Sequence, residues 1–240
     1  MNNDRNGKCV ILVPVARYIE PECERALQWL ERNGYVVRRV WGFSDISRGR
    51  SQIVTDALAA GFEELLWIDS DIAFDPRDIA KLRDRQLPVV GAIYPVKGQR
   101  RLTCITMKGT REVRFGDHGG LTEVEALGGG FILTHRNVYD QVRKTCGLPH
   151  CKSISSHGII PFFLPLVVQR EGEDRPSLLG EDLSFCERIR QSGIKIFADT
   201  TIRLHHIGRY LYSWEDAGRE VERATDYTLS LPPSVNTPTS

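Results

Sequence analysis

No apolar stretch in the 240 residues approaches the roughly 20 residues needed to cross a bilayer. The strongest run, residues 9–15, is interrupted by Pro14 and follows a polar start, so neither a secretory leader nor a membrane span is expected. A surplus of one charge sign is missing as well: 32 Lys and Arg face 31 Asp and Glu, a formal net charge of +1. That balance removes the general electrostatic argument for nucleic acid or an anionic membrane and leaves partner choice to local sites. The six cysteines (Cys9, Cys23, Cys104, Cys146, Cys151 and Cys186) are scattered through a chain long enough to bury its own core, so a disulfide framework is not needed. Free thiols in a reducing, cytoplasmic compartment are the expectation. Cys146, His150, Cys151 and His157 match no common zinc-ligand spacing. What is present is ordinary globular composition, 41% hydrophobic and 26% charged, without an internal repeat. It argues against disordered, collagen-like and coiled-coil architectures and suits one large domain.

Apolar runs alternate with helical patterns up to Pro95. Residues 9–13 read as a strand buried on both faces. Residues 21–33 read as a helix, with Pro21 in its first turn, Ala26, Leu27 and Leu30 as its apolar face, and Asn33-Gly34 as its stop. A second strand at 35–41 leads to a second helix at 47–60, where Ile53, Val54, Ala57 and Leu58 fall at helical spacing before Gly61. Residues 64–68 give a third strand, 75–85 a further helix and 88–94 another strand. This order predicts a parallel sheet covered on both faces. Beyond Pro95, short segments at 102–107, 112–115, 122–126 and 131–134, separated by glycine-rich turns, predict a more antiparallel half. Helices follow at 137–145 and 183–191, strands at 195–198 and 202–206, and a closing helix at 214–227. Residues 146–165 lack periodicity and are expected to form a mobile loop. Residues 1–7 and the Pro/Ser/Thr-rich 231–240 are expected to be disordered.

In an open α/β sheet ligands bind outside the carboxyl ends of the strands. The third strand runs directly into Asp69-Ser70-Asp71, and two carboxylates one residue apart at a strand end can jointly hold a hard divalent cation that in turn binds a diphosphate. A plain helix-capping loop is the simpler reading. An EF-hand is excluded by Ala73 and Phe74, and a haloacid dehalogenase-type phosphatase fits poorly because the pair follows the third strand rather than the first. Gly180-Glu181-Asp182 opens a helix; its acids can cap the helix or place a general base at a cleft rim. His205-His206-Ile207-Gly208 ends an apolar strand, where two histidines before a glycine favour ligation, His206 lying on the side of Ile202 and Leu204. Gly128-Gly129-Gly130 precedes a strand and lacks the spacing of a dinucleotide loop; it is either a hairpin turn or a place where a ligand meets the backbone. Lys97, Arg100, Arg101, Lys108, Arg111 and Arg114 form a basic interval, either a solvated face or a surface for an acidic acceptor.

Taken in order, Leu65-Leu66-Trp67-Ile68-Asp69-Ser70-Asp71-Ile72, Gly128-Gly129-Gly130-Phe131, Gly180-Glu181-Asp182 and His206-Ile207-Gly208 resemble the GT-A glycosyltransferases, particularly the family 2-like members. The resemblance implies a single domain over residues 8–230. Its nucleotide-binding half, Rossmann-like and mainly parallel, would span 8–95, and a smaller mixed or antiparallel acceptor half would span 96–230. It implies Mn2+ or Mg2+ bound by Asp71 and His206, with Asp69 near the metal or the ribose and His205 as an alternative ligand. Pro14, Arg17, Asp45, Arg48, Arg50, Asp69, Ser70, Gly129 and Gly130 would approach a nucleoside diphosphate sugar, although Ser51 stands where the family often has Asn. Asp182, or Glu181 as second choice, would be the base in a hexosyl- or pentosyl-transfer with inversion. The acceptor could be a saccharide, protein, small molecule or modified nucleic acid. Rival readings are a nucleotidyltransferase or phosphohydrolase using the Asp69/Asp71 pair, and a non-catalytic nucleotide-sugar-binding subunit.

Overall fold

The computed structural model describes residues 6–99, 101–170, 172, 174–208, 210–217 and 225–231. Its strands, in chain order, are β1 (Cys9–Val15), β2 (Val36–Trp41), β3 (Glu64–Ile68), β4 (Ile72–Ala73), β5 (Val89–Gly91), β6 (Cys104–Thr106), β7 (Glu112–Phe115), β8 (Leu121–Leu127), β9 (Phe131–His135), β10 (Leu166–Val168), β11 (Ser177–Leu179), β12 (Ile196–Asp199), β13 (His205–Ile207), β14 (Leu211–Tyr212) and β15 (Tyr227–Ser230). The helices are α1 (Pro21–Arg32), α2 (Ile46–Ala59), α3 (Asp78–Asp84), α4 (Arg136–Thr145) and α5 (Glu181–Gln191).

An eight-stranded sheet runs β2-β1-β3-β9-β5-β12-β8-β6. β1 is buried over its whole length, as a strand covered on both faces must be, and pairs in parallel with β2 and β3. Its alternate side chains enter two cores. Val10 and Leu12 join Ile53 and Val54 of α2, Tyr139 of α4 and Phe185 of α5, while Cys9, Ile11 and Val13 join Leu27 and Leu30 of α1 and Ile79 and Leu82 of α3. The chain is thus a mixed α/β fold with helices on both sheet faces.

Four features differ from the sequence-based expectation. The sheet is not parallel throughout, because β9 inserts antiparallel between β3 and β5. Its run Phe-Ile-Leu-Thr is apolar enough to be buried on both sides, and alternation alone cannot say which neighbour it takes. Residues beyond 95 therefore complete the same sheet with β9, β12, β8 and β6. The expected mobile loop at 146–165 is anchored: Ile160, Phe162 and Phe163 are buried, and the Ile160 and Phe163 N–H groups donate to Thr55 and Ser51 hydroxyls of α2. Elsewhere the segment is largely exposed, Ile154 fully so. The closing helix at 214–227 is also not found in its described parts. Trp214–Ala217 is a single 3-10 turn and Tyr227–Ser230 is β15, paired antiparallel with β7; 218–224 lie outside the described residues. Finally, Asn6 lies inside the span expected to be disordered, yet its side chain bonds the Asn33 carbonyl and accepts from Arg83. Residues 1–5 and 232–240 lie outside the described residues.

Candidate active site

β3 ends at Ile68, and the chain turns at once: Asp69 N–H donates to Gly130 O, and Ile72 N–H returns to Asp69 O. β4 then pairs antiparallel with β13, setting His206 opposite Ile72 and His205 opposite Ala73. The Ile207 N–H donates to the Asp71 carbonyl at 2.7 Å. Two distant segments are thereby locked together, and their side chains meet: His206 Nε2 lies 3.6 Å from Asp71 Oδ1. On the other edge of the ring, Nδ1 lies 3.0 Å from the Pro95 carbonyl, and the ring packs edge-on against Tyr94 with centroids 5.1 Å apart. A carbonyl can only accept, so Nδ1 donates to Pro95 and the ring is held with Nε2 facing Asp71. Burial pushes the Asp71 carboxyl up, but neighbouring His206 and Lys97 outweigh it and hold it below its ordinary value.

Asp69 belongs to a different cluster. Its Oδ1 accepts from Arg50 Nη2 at 2.6 Å, and Arg50 Nη1 donates to Gly129 O at 3.2 Å. Arg50 is only 3% exposed, and its guanidinium lies 5.2 Å over the Trp67 ring. Burial alone would lower its pKa; the Asp69 and Glu181 carboxylates prevail and raise it. Arg50 Nε is buried without a hydrogen-bond partner, 3.7 Å from Glu181 Oε1. Asp69 is therefore engaged by an internal cation, whereas Asp71 faces His206.

The two acids opening α5 also separate. Asp182 is turned inward: its Oδ2 accepts from Gly129 N–H at 3.3 Å and its Oδ1 from Leu183 N–H. Glu181 lines a cavity of about 420 Å3 together with Pro14, Phe43, Arg50, Asp69 and Asp71. Burial, then the adjacent Asp182, raises the Glu181 pKa above its ordinary value. Ser70 and Asp71 divide this cavity from a second of about 440 Å3, lined by Arg17, Tyr18, Glu20, Lys97 and Gly208. Both open at the carboxyl ends of β1 and β3.

Gly128 and Gly130 are required by packing. A Cβ at Gly128 would lie 2.7 Å from the Tyr94 hydroxyl, and one at Gly130 would strike the same hydroxyl and approach Asp69 Oδ2 to 2.9 Å. Tyr94 Oη accepts from Gly130 N–H instead, which fixes the backbone against the Asp69 cluster. Asp45 is not drawn into either cavity: it caps α2, accepting from Ser47 and Arg48 N–H. Arg48 is exposed on the first turn of α2 and does not line the cleft. Phe43 and Tyr94 are among the residues that sequence reasoning did not single out, and Lys97 was noted only as part of a basic interval. Tyr94 and Lys97 follow β5, whose carboxyl end faces the same way as that of β3, and that position is the signal that could have flagged them.

Among the described residues, no three His, Cys, Asp or Glu side chains are grouped to hold a metal. The Asp71 carboxylate and His206 Nε2 supply two donors. That suits a divalent cation completed by water and phosphate oxygens, as Mg2+ commonly binds, and does not suit an all-protein cage.

No protein-family model and no curated protein sequence matches the chain. Among solved structures it is similar to A197 from STIV, at a TM-score of 0.54 and 15% identity over 90% of this chain and 97% of that one. This likeness shows a shared fold. Other neighbours include a glycosyltransferase involved in the glycosylation of the major capsid of PBCV-1, at a TM-score of 0.34 and 12% identity over 58% of this chain and 65% of that one. S. aureus TarS 1-349 in complex with UDP-GlcNAc aligns at a TM-score of 0.32 and 19% identity over 63% of this chain and 51% of that one. These two partial overlaps do not extend the fold assignment.

Proposed function

We propose that the chain is a metal-dependent glycosyltransferase of the GT-A type, moving a sugar from a nucleoside diphosphate sugar to an acceptor nucleophile with inversion. The observation that carries this reading is the pairing of Asp71 with a His206 whose Nδ1 is anchored on Pro95, at a strand-end cleft that Glu181 also lines. Asp71 and His206 would hold Mn2+ or Mg2+, which when bound neutralises charge on the departing diphosphate. Arg50 orients Asp69, whose second oxygen is left to accept from a ribose or sugar hydroxyl. Glu181 takes the acceptor proton. Its raised pKa suits a general base better than the Asp182 carboxylate, which already accepts two backbone bonds. With that proton removed, the acceptor oxygen attacks the anomeric carbon in line, its new bond forming as the bond to the diphosphate breaks, and the carbon is inverted.

The test is product analysis with a panel of nucleotide sugars and Mn2+. Release of nucleoside diphosphate, abolished in Asp71→Asn and in Glu181→Gln, supports transfer. Release of pyrophosphate or of inorganic phosphate instead assigns the site to a nucleotidyltransferase or a phosphohydrolase. Donor binding without any turnover assigns it to a non-catalytic subunit.

A further inference from the structure

The chemistry above leaves Lys97 without a task. It stands two residues beyond Pro95, in a turn closed by Val96 N–H donating to the Arg101 carbonyl at 2.8 Å. Its stem passes over Gly208, where a Cβ would lie 3.4 Å from Lys97 Cδ. Its ammonium reaches Asp71 Oδ2 at 2.5 Å, each side chain being about one-third exposed (35% and 32%). Asp71 thus presents one oxygen to a cation of the chain itself and the other to His206 Nε2. The same short segment anchors both, through the Pro95 carbonyl and the Lys97 ammonium.

A divalent cation on Asp71 and an ammonium 2.5 Å from the same carboxylate repel one another, so a bound metal would weaken the hold of Asp71 on Lys97 and favour its turning away. The ammonium has a place to go. It lines the 440 Å3 cavity beyond Asp71 beside Arg17, which makes no hydrogen bond or ion pair among the described residues, and Tyr18, an exposed aromatic side chain. A Lys on a flexible four-carbon stem, with three rotatable donors, is well suited to follow phosphate oxygens.

We propose that Lys97 is a diphosphate-binding residue, neutralising Asp71 in the unliganded protein and passing to the diphosphate of the donor when a divalent cation takes Asp71. The assignment rests on the glycosyltransferase reading and adds a second positive charge, besides the metal, to hold the leaving group. The exchange forms and breaks no covalent bond. A merely structural ion pair would make a different prediction, since its loss would leave metal and diphosphate affinity alone.

The experiment compares wild type, Lys97→Met and Lys97→Arg by titration calorimetry, first with Mn2+ alone and then with ADP, GDP, UDP and CDP at saturating Mn2+. Thermal unfolding confirms that each variant is folded. The expected result is about fivefold tighter Mn2+ binding in Lys97→Met, from loss of a competing partly exposed pair. Its nucleoside diphosphate binding is expected to be weaker by about tenfold or more, the scale of a lost charged hydrogen bond. Lys97→Arg should keep most of the diphosphate affinity. If wild type binds and Lys97→Met matches it in either titration, the Lys97 assignment alone is overturned. If neither protein takes up Mn2+ or any diphosphate, the glycosyltransferase reading falls and the assignment with it.

Discussion

Arg50 is the residue on which the cleft's charge balance turns. It is buried, and it serves Asp69, Gly129 O and Glu181 at once. Arg50→Met leaves two partly buried carboxylates without their cation, a loss expected to cost about 3 kcal/mol. Urea unfolding measures it, and a cost below about 1 kcal/mol would mean that the pairs are solvated and of little weight. Glu181 supplies a pH signature. Burial and Asp182 raise its carboxyl above the ordinary 4.5, so the folded protein holds that proton more tightly than the unfolded chain does. Its contribution to stability is complete below 4.5 and is lost as pH rises through the raised value. Glu181→Gln should therefore gain on the wild type in denaturation midpoint between pH 4.5 and neutrality; parallel curves contradict the shift. At this scale the sequence displayed the acids but not their division of labour. Two adjacent carboxylates at a helix start are equivalent on paper, and only the approach of Gly129 N–H turns Asp182 inward and leaves Glu181 facing the cavity. Asp45 is ambiguous for a similar reason, since an Asp before a helix serves as cap as readily as ligand, and here it caps α2.

Among the elements, the turn between β8 and β9 and the β4–β13 pair decide where the site lies. Gly130→Ala drives a Cβ into the Tyr94 hydroxyl and toward Asp69, overpacking expected to cost about 1–3 kcal/mol. Removing that hydroxyl in Tyr94→Phe should recover part of the loss in the double variant, and strict additivity would show that the contact is not the cause. The anchored stretch at 146–165 gives a third expectation. Phe163 packs on Trp67 and Phe185, so Phe163→Ala should cost about 3–5 kcal/mol, whereas a mobile lid would hardly register the change. β1, β3, α1 and α2 were legible because long apolar runs or helical spacing declare themselves. The two-residue strand β4, and the insertion of β9 between β3 and β5, were not. Each depends on a partner far along the chain, His205–Ile207 in one case and Glu64–Ile68 with Val89–Gly91 in the other. Phe162 and Phe163 escaped notice because an irregular segment has no period even when it is buried.

For the whole molecule, the sheet brings into one cleft residues from the ends of β1, β3 and β5, from α2, from the β8–β9 turn, from the start of α5 and from β13. The balanced net charge of +1 gives no general attraction for polyanions, and the charges that matter are those facing each other across Asp69 and Asp71. The central claim is that Asp71 and His206 bind a metal together with a diphosphate. The most direct measurement is the thermal unfolding midpoint with Mn2+ and each nucleoside diphosphate, separately and combined, in wild type, Asp71→Asn and His206→Ala. The account expects one nucleoside diphosphate to raise the midpoint strongly only when Mn2+ is also present, and both variants to lose that joint effect. A midpoint unmoved by every combination, or a rise that survives in Asp71→Asn and His206→Ala alike, would contradict it.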